Sequence, residues 1–240
     1  MIRPFALQGG IIAAGEGTRL RADGFRVSKP MVRVAGRPLI DHTLERFRAA
    51  SIRKLSIVIN EASDDCRQWL EHHTGDFDLD MVVRSTQSSY ATFRLVADRL
   101  AGGPAVVTTV DSIMPIDDFR LFVRSASAFP ANTMVLGVTE HVDDENPLWV
   151  TLDQSDGRIR QIGGRDGTHV TAGLYRLPEQ RPADPATAFA RLRDYLGSLV
   201  ADNQPVYGIV LGCVFDIDRA RDIAAAEAAA IGCQRETSER

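Results

Sequence analysis

Apolar residues along this chain fall into two kinds of run. The first is continuous and short: Gly10 to Ala14, Leu55 to Ile59, Met81 to Val83 and Ala105 to Val110, each bounded by turn-forming residues. Apolar runs of this length without polar alternation predict strands buried on both faces. The second kind repeats at helical spacing: Ile40, Leu44 and Phe47, then Phe93, Val96, Ala97 and Leu100, then Phe119, Phe122, Val123 and Ala126. Residues three and four apart share one helix face, so each set predicts an amphipathic helix. Strand and helix alternate, which predicts an α/β fold: a mostly parallel sheet, helices on both faces, right-handed crossovers.

After about residue 130 the rhythm tightens into closer strands, MVLGV, LWVTL, RIRQI and HVTAGLYRL, with Asp156-Gly157 as a hairpin-type turn between two of them. A smaller mixed or antiparallel section is expected there. The chain then returns to a helix (Ala186 to Leu199), a strand-like stretch (Val206 to Phe215) and an Ala-rich helix (Arg219 to Ala230). The closing CQRETSER reads as a frayed end. No internal repeat, low-complexity block or Pro/Ser linker interrupts the chain, so one domain is expected over 1–231, with a flexible tail over 232–240.

At 240 residues the chain is long enough for one sizeable core, burying about 70–75% of its unfolded surface. Its net charge of −4, from 28 Lys+Arg and 32 Asp+Glu without a long run of either sign, argues against a broad nucleic-acid or anionic-membrane face. Cys66, Cys213 and Cys233 lack C-x-x-C spacing, suggesting neither a disulfide framework nor a zinc site. The opening MIRPFALQGG is too short and interrupted for a signal peptide, and no apolar stretch approaches the ~18 residues of a membrane span. A soluble cytoplasmic protein is the expectation; nothing in the sequence indicates its oligomeric state.

The run GGIIAAGEGTRLRADGFRVSKP, Gly9 to Pro30, carries the first chemistry. If Gly10 to Ala14 is a strand, Gly15 to Leu20 lies at its carboxyl end, where open α/β sheets bind ligands. Gly15 and Gly17 let backbone amides approach a triphosphate, and Thr18 adds a hydroxyl. The dinucleotide fingerprint would need a third glycine where Leu20 stands, and the P-loop would need G-K-[ST], which is absent. Arg19 and Lys29, ten positions apart across a loop, can converge on a phosphate chain. On these residues alone, a plain strand-to-helix turn with solvated cations stays open.

The segments A-A-G-E-G-T-R-L and K-P-M-V-R-V-A-G-R-P-L-I, within Gly10 to Ile40, resemble the signature of the nucleotidyltransferases that make nucleotide sugars. The resemblance implies a Rossmann-like α/β fold and a nucleotide bound along Ala13, Ala14, Gly15, Gly17 and Thr18. It gives Arg19 to the triphosphate and Lys29 to the incoming sugar phosphate. Ser28 stands where many members have proline, and RADGFRVS replaces the usual Pro-Leu-Thr run, so a loop more mobile than usual is expected.

Triphosphate chemistry ordinarily uses Mg²⁺, held by carboxylates at the same sheet edge. Asp111 directly follows the strand AVVTTV, while Asp117 and Asp118 are better placed to cap the next helix. V-D-S-I-M-P resembles the family's metal-binding G-D-S/A segment, with Val110 in place of glycine. F-D-I-D-R-A-R-D-I at 215–223 resembles its later D-V-D-T-P-E-D-L pattern, which makes Asp216 the expected second ligand with Asp218 as the alternative; spacing favours Asp218 as the cap of the closing helix, and the choice between the two stays open. The histidines have no assigned role: His72-His73 falls in an exposed helix, and His42, His141 and His169 share no metal-ligand spacing.

For the base, the resemblance points to S-T-Q-S-S-Y-A-T-F at 85–93, with Gln87, Ser88 and Ser89 as contacts. For the acceptor it points to Thr171 and Gly173, although the family's Glu-Lys-Pro element is missing and Thr171 replaces an asparagine. Trp149 is either a core residue or a stacking platform, with core preferred. The expected activity is transfer of NMP from an NTP to a sugar 1-phosphate, or a similar phosphorylated small molecule, with release of pyrophosphate. Alternatives are a cytidylyltransferase for phosphocholine or another alcohol phosphate, whose choline-type acceptor would want an aromatic cage testable at Trp149 and Tyr175, and a non-catalytic nucleotide-sugar sensor on the same fold. Intact Arg19, Lys29, Asp111 and Asp216 argue against the sensor.

Overall fold

The computed structural model describes residues 6–100, 102–142, 145–180 and 188–238. Its first half alternates as the apolar pattern predicts: β1 (Gln8–Ala13), α1 (Thr18–Ala22), a short 3-10 turn (Lys29–Met31), the β2 (Arg33–Val34) and β3 (Arg37–Pro38) hairpin, and α2 (Leu39–Ala49). Then come β4 (Lys54–Ile59), α3 (Asp64–His73), β5 (Asp78–Val83), α4 (Ser89–Arg99), β6 (Ala105–Thr109), β7 (Ser112–Ile113) and α5 (Ile116–Ala126). The second half holds β8 (Met134–Thr139), β9 (Trp149–Leu152), β10 (Ile159–Ile162), β11 (His169–Leu177), α6 (Leu192–Ala201), β12 (Val206–Leu211), β13 (Phe215–Asp216) and α7 (Ala220–Ser238).

Among the described residues these strands build a nine-stranded sheet with two small two-stranded sheets beside it. β6, β1, β4 and β5 run parallel in that spatial order. β11 lies antiparallel to both β6 and β8, and β12 closes that edge parallel to β8. β9 and β10 extend from the start of β11, with the turn at Asp156-Gly157 between them. The expected mixed section is therefore a continuation of the main sheet.

Side chains of the parallel strands alternate between two packed layers. Ile11, Ala13, Leu55, Ile57 and Ile59 meet Leu44 and Phe47 of α2, Leu70 of α3 and Phe119 and Phe122 of α5. Val58, Val107, Leu136 and Val138 meet Phe93 and Val96 of α4 and Tyr195 and Leu196 of α6. Both faces are covered, which leaves the carboxyl edge of β1 and β6 as the open rim.

Four expectations are corrected. α6 begins at Leu192; of its expected start, Ala186 and Thr187 lie outside the described residues, and Phe189 turns its ring onto Tyr90 and Tyr195 before the helix opens. The strand-like stretch 206–215 is broken after Leu211: Gly212 donates its amide to Asp118 and its carbonyl accepts from Thr139, which frees Phe215 and Asp216 to pair elsewhere. Asp117 and Asp118 are first-turn acids of α5, behind an N-cap at Pro115 with no capping side chain. α7 continues as helix to Ser238, through most of the stretch read as a frayed end.

Candidate active site

The glycine loop leaves β1 at Ala14, whose carbonyl accepts from Asn60 Nδ2 at 3.1 Å. Ala13 and Ala14 are buried, so what they offer a ligand is backbone. Gly15 and Thr18 are exposed at the rim. Gly17 adopts φ +62 as the N-cap of α1, and a Cβ there would stand 3.0 Å from Lys29 Cβ. This position demands glycine twice, by handedness and by space.

The loop after α1 is held at several points, contrary to the expected mobility. Asp23 accepts from the amide of Ala220 at 2.9 Å and pairs with Arg219, tying the loop to α7. Ser28 donates its amide to Asp65 at 2.9 Å, and Pro30 stiffens the turn that carries Lys29.

A two-stranded ladder assembles the acidic part of the site. β13 pairs antiparallel with β7, setting Asp216 opposite Ser112, and Ile217 donates to the Asp111 carbonyl at 3.1 Å. Asp111, Asp216 and Asp218, distant in sequence, thus share one rim. Lys29 Nζ donates to Asp111 Oδ2 and to Asp218 Oδ1, each at 2.5 Å, and Arg19 donates to the other Asp218 oxygen. Burial alone would push the Lys29 ammonium down; Asp111, Asp216 and Asp218 around it hold its pKa above the ordinary lysine value. Burial would likewise raise Asp111, but the charge of Lys29 and its hydrogen bond hold the carboxyl below the usual carboxylate range.

Asp218 does not cap α7. Asp222 Oδ2 accepts from the amides of Asp218 and Arg219, at 2.9 and 2.6 Å, and so satisfies the orphan donors of the helix start from inside its first turn. Relieved of capping, the Asp218 side chain turns into the site. Choosing the capping residue by its place just before the helix overlooked a carboxylate reaching back.

A cavity of about 430 Å³ opens beside this cluster. Arg19, Asp111, Asp216 and Asp218 line one part of it, and Thr171, Gly173, Tyr175, Arg191 and Arg193 contribute elsewhere on its wall. The expected acceptor residues Thr171 and Gly173 therefore join the cationic and acidic groups around one space. Tyr175, expected only as an aromatic for a choline-type acceptor, is buried there, and burial followed by Asp111 and Asp216 pushes its phenol pKa up. Among the described residues it is the only Phe, Tyr or Trp lining this cavity; Trp149, half-buried on β9, is not part of the lining. The described residues do not build an aromatic box of the kind that holds choline here.

Gln87 and Ser88 line a second cavity of about 540 Å³, with Arg84, Thr86 and Phe189. The Ser88 hydroxyl caps α4 by accepting from the Ala91 amide at 3.0 Å. Ser89 borders the first cavity, and its hydroxyl accepts from the Leu192 amide at 3.0 Å. The three residues proposed for the base are thus divided: two serine hydroxyls hold helix starts, and Gln87 stands exposed.

Hard oxygen donors suit a magnesium ion, and Asp111 and Asp218 already converge on a single cationic centre. Among the described residues no group of three or more His, Cys, Asp or Glu side chains is close enough to enclose a metal. Magnesium commonly takes one or two carboxylates and completes its shell with substrate phosphates and water, so the donor set fits.

The bifunctional protein GlmU of Aromatoleum aromaticum is 25% identical over 193 residues, covering 80% of this chain and 40% of its own. A glucose-1-phosphate thymidylyltransferase of Actinoplanes sp. is 27% identical over 165 residues, covering 65% of this chain and 52% of its own. The chain spans about half the length of these curated relatives. Among solved structures, the inositol-1-phosphate CTP transferase of T. maritima superposes with a TM-score of 0.75 at 20% identity, over 92% of this chain and 93% of that one, and so shares its fold. Residues 9–206 match the family model of the MobA-like NTP transferase domain, and the chain belongs to that family.

Proposed function

We propose that the protein transfers NMP from a nucleoside triphosphate to a sugar 1-phosphate, with Mg²⁺ and with release of pyrophosphate. The observation that carries this reading is the convergence of Lys29, Arg19, Asp111 and Asp218 at the rim of β1 and β6, beside a cavity sized for a small phosphorylated acceptor. In the reaction an acceptor phosphate oxygen attacks the α-phosphorus in line, forming one P–O bond as the bond to the leaving pyrophosphate breaks. No covalent protein intermediate is required.

The exposed glycine loop presents its amides to the triphosphate, and open space above Gly15 accommodates close approach. Arg19 and Lys29 offset charge as it develops on the reacting phosphates, and fixing both partners in one cavity supplies orientation. Asp111 and Asp218 would hold the magnesium ion, with Asp216 beside them; this moves the second ligand from Asp216 to Asp218. When bound there, the ion would supply positive charge against the charge of the reacting phosphates. The surface of Tyr175, Thr171 and Gly173 then belongs to the acceptor.

No helix among the described residues is long and apolar enough to cross a membrane. The described cysteines, buried Cys66 and exposed Cys213, are free thiols, which suits a reducing cytoplasm.

The test is pyrophosphate release with Mg²⁺ from each common nucleoside triphosphate against a panel of sugar 1-phosphates plus inositol 1-phosphate and phosphocholine. Release that requires one nucleotide and one sugar 1-phosphate together is the expected result. Nucleotide binding without release across the whole panel would overturn the reading in favour of a sensor.

A further inference from the structure

Ser28 replaces the proline expected from the family resemblance, and its backbone shows what the exchange permits. Its φ of −63 and ψ of 153 are angles that proline also takes. Proline has no amide proton, however, and the Ser28 amide donates to Asp65 Oδ2 at 2.9 Å, across 37 positions of sequence. The Ser28 carbonyl accepts from the Met31 amide at 2.9 Å and opens the 3-10 turn that carries Lys29. The serine hydroxyl is buried without a hydrogen-bond partner among the described residues, so the backbone of this residue is what is held, not its side chain.

Asp65 is a firm anchor. It lies in the first turn of α3, whose Cys66 and Leu70 are fully buried in the core. Its other oxygen, Oδ1, accepts from the Cys66 amide at 2.8 Å, so both carboxylate oxygens are engaged and the plane of the group is set. The residue after Ser28 is Lys29, whose Nζ reaches Asp111 and Asp218 and whose Cβ lies 3.0 Å from where a Cβ on Gly17 would stand. A shift of the backbone at 28–29 would therefore displace the ammonium from its acids and unseat the glycine loop at the same time.

We propose that Asp65 is a positioning residue for Lys29: through the Ser28 amide it fixes the backbone of the turn and so holds the ammonium at the acidic rim. In this chain a hydrogen bond does what a proline ring would do by covalent constraint. Asp65 is absent from the lining of both cavities, so it acts on the reaction only through Lys29, and the inference rests on the role of Lys29 proposed above. A first-turn acid also favours its own helix electrostatically. Asp64, exposed in the same turn and paired with Arg67 at 3.1 Å, shares that effect without touching Ser28, which makes it the matched control.

The chain has two lysines, buried Lys29 and exposed Lys54, so amine labelling reports on the turn against a built-in reference. The test is reductive methylation of the full chain with formaldehyde and a borane, each lysine being followed by mass spectrometry on its own peptide. Asp65→Ala should raise the labelling rate of Lys29 relative to Lys54 about tenfold, the scale of one lost hydrogen bond to a carboxylate. Asp64→Ala should leave that ratio unchanged, and melting curves check that both variants fold. Ser28→Pro removes the donor, and in that background D65A should add nothing further; if S28P does not fold, the comparison with D64A decides alone. A wild-type ratio in D65A, an equal rise in D64A, or an undiminished effect of D65A on top of S28P would each overturn the inference. Pyrophosphate release separates it from the reading on which it rests. D65A should lower kcat about tenfold or more while leaving the nucleotide KM near the wild-type value, and it should cost nothing further in Lys29→Ala. Full release in K29A would remove the role of Lys29, and the functional meaning of the tether with it, even where the labelling behaves as expected.

Discussion

Gly15 and Gly17 stand two positions apart on one loop and answer to different demands. Gly17 has a left-handed backbone and abuts Lys29, whereas Gly15 has no atom within 4 Å of where a Cβ would stand and no positive φ. Gly17→Ala should therefore cost stability, about 1–2 kcal/mol from the backbone alone, or several degrees of melting temperature. Gly15→Ala should melt with the wild type while raising the KM for the nucleotide, since a methyl there meets only the incoming ligand. Equal melting losses in the two variants would refute this division. Asp111 yields a second test at the same scale. Its pKa lies below that of an unfolded aspartate, about 3.9, so its contribution to stability is present above that value and is lost as pH falls through the lowered folded value. D111N should lose at least about 100-fold in turnover. Its melting deficit relative to wild type should be largest near neutrality and shrink as pH drops below about 4; a deficit independent of pH would mean that the Lys29 pairing does not set it. The cations and Asp111 were legible in the sequence because they stand in or next to a short motif at a strand end. The choice between Asp216 and Asp218, and the place of Tyr175, were not, because they depend on where other groups go: Asp222 takes over the cap, and β11 turns the phenol inward.

At the scale of elements, α2 shows both what periodicity reveals and what it conceals. Ile40, Leu44 and Phe47 are buried as their spacing predicts, but so is Arg46, at 2% exposure. Its side chain donates to Thr43 Oγ1 at 3.1 Å, Nε has no hydrogen-bond partner, and no salt bridge reaches it among the described residues; burial pushes its pKa down to about 10. A buried cation without a contacting carboxylate is a net cost, so Arg46→Met should stabilise the protein by about 1 kcal/mol, seen as a rise of roughly 2–4 °C in melting temperature. A fall instead would show that the guanidinium contributes packing that methionine cannot replace. The strands of the parallel half were legible because burial on both faces removes polar alternation, leaving continuous apolar runs such as LSIVI of β4. The start of α6 was not, because Ala190 and Arg191 suit a helix locally while the ring packing of Phe189 and the Ser89 cap decide where it begins. Similarly, β12 and β13 read as one strand until Gly212 is seen bonded to Asp118.

At the scale of the whole molecule, the site joins two halves of the chain that have no local reason to meet. Lys29 belongs to the early loop, Asp111 to the end of β6, and Asp218 to the approach to α7; the β7–β13 ladder and the Asp23 tie to α7 hold all three at one rim. At the rim itself three carboxylates against Lys29 and Arg19 leave one net negative charge, with Arg191 and Arg193 elsewhere on the cavity wall; a magnesium ion would offset that charge where the carboxylates stand, and a triphosphate alone would add to it. Nucleotide and cation should therefore bind cooperatively, each favouring the other. Melting temperatures measure this directly, because a ligand at 100 times its Kd stabilises the folded state by about 2.7 kcal/mol, roughly 5–10 °C for a protein of this size. The correct triphosphate with Mg²⁺ should give a shift of that order, while the triphosphate with a chelator, or Mg²⁺ alone, should each give much less than half of it. Lys29→Met should weaken that coupling, since it removes the charge that orders Asp111 and Asp218 before the ligands arrive. Additive shifts in the wild type, equal to the sum of nucleotide and cation measured apart, would mean that the acidic rim and the phosphate loop are separate sites rather than the two walls of one.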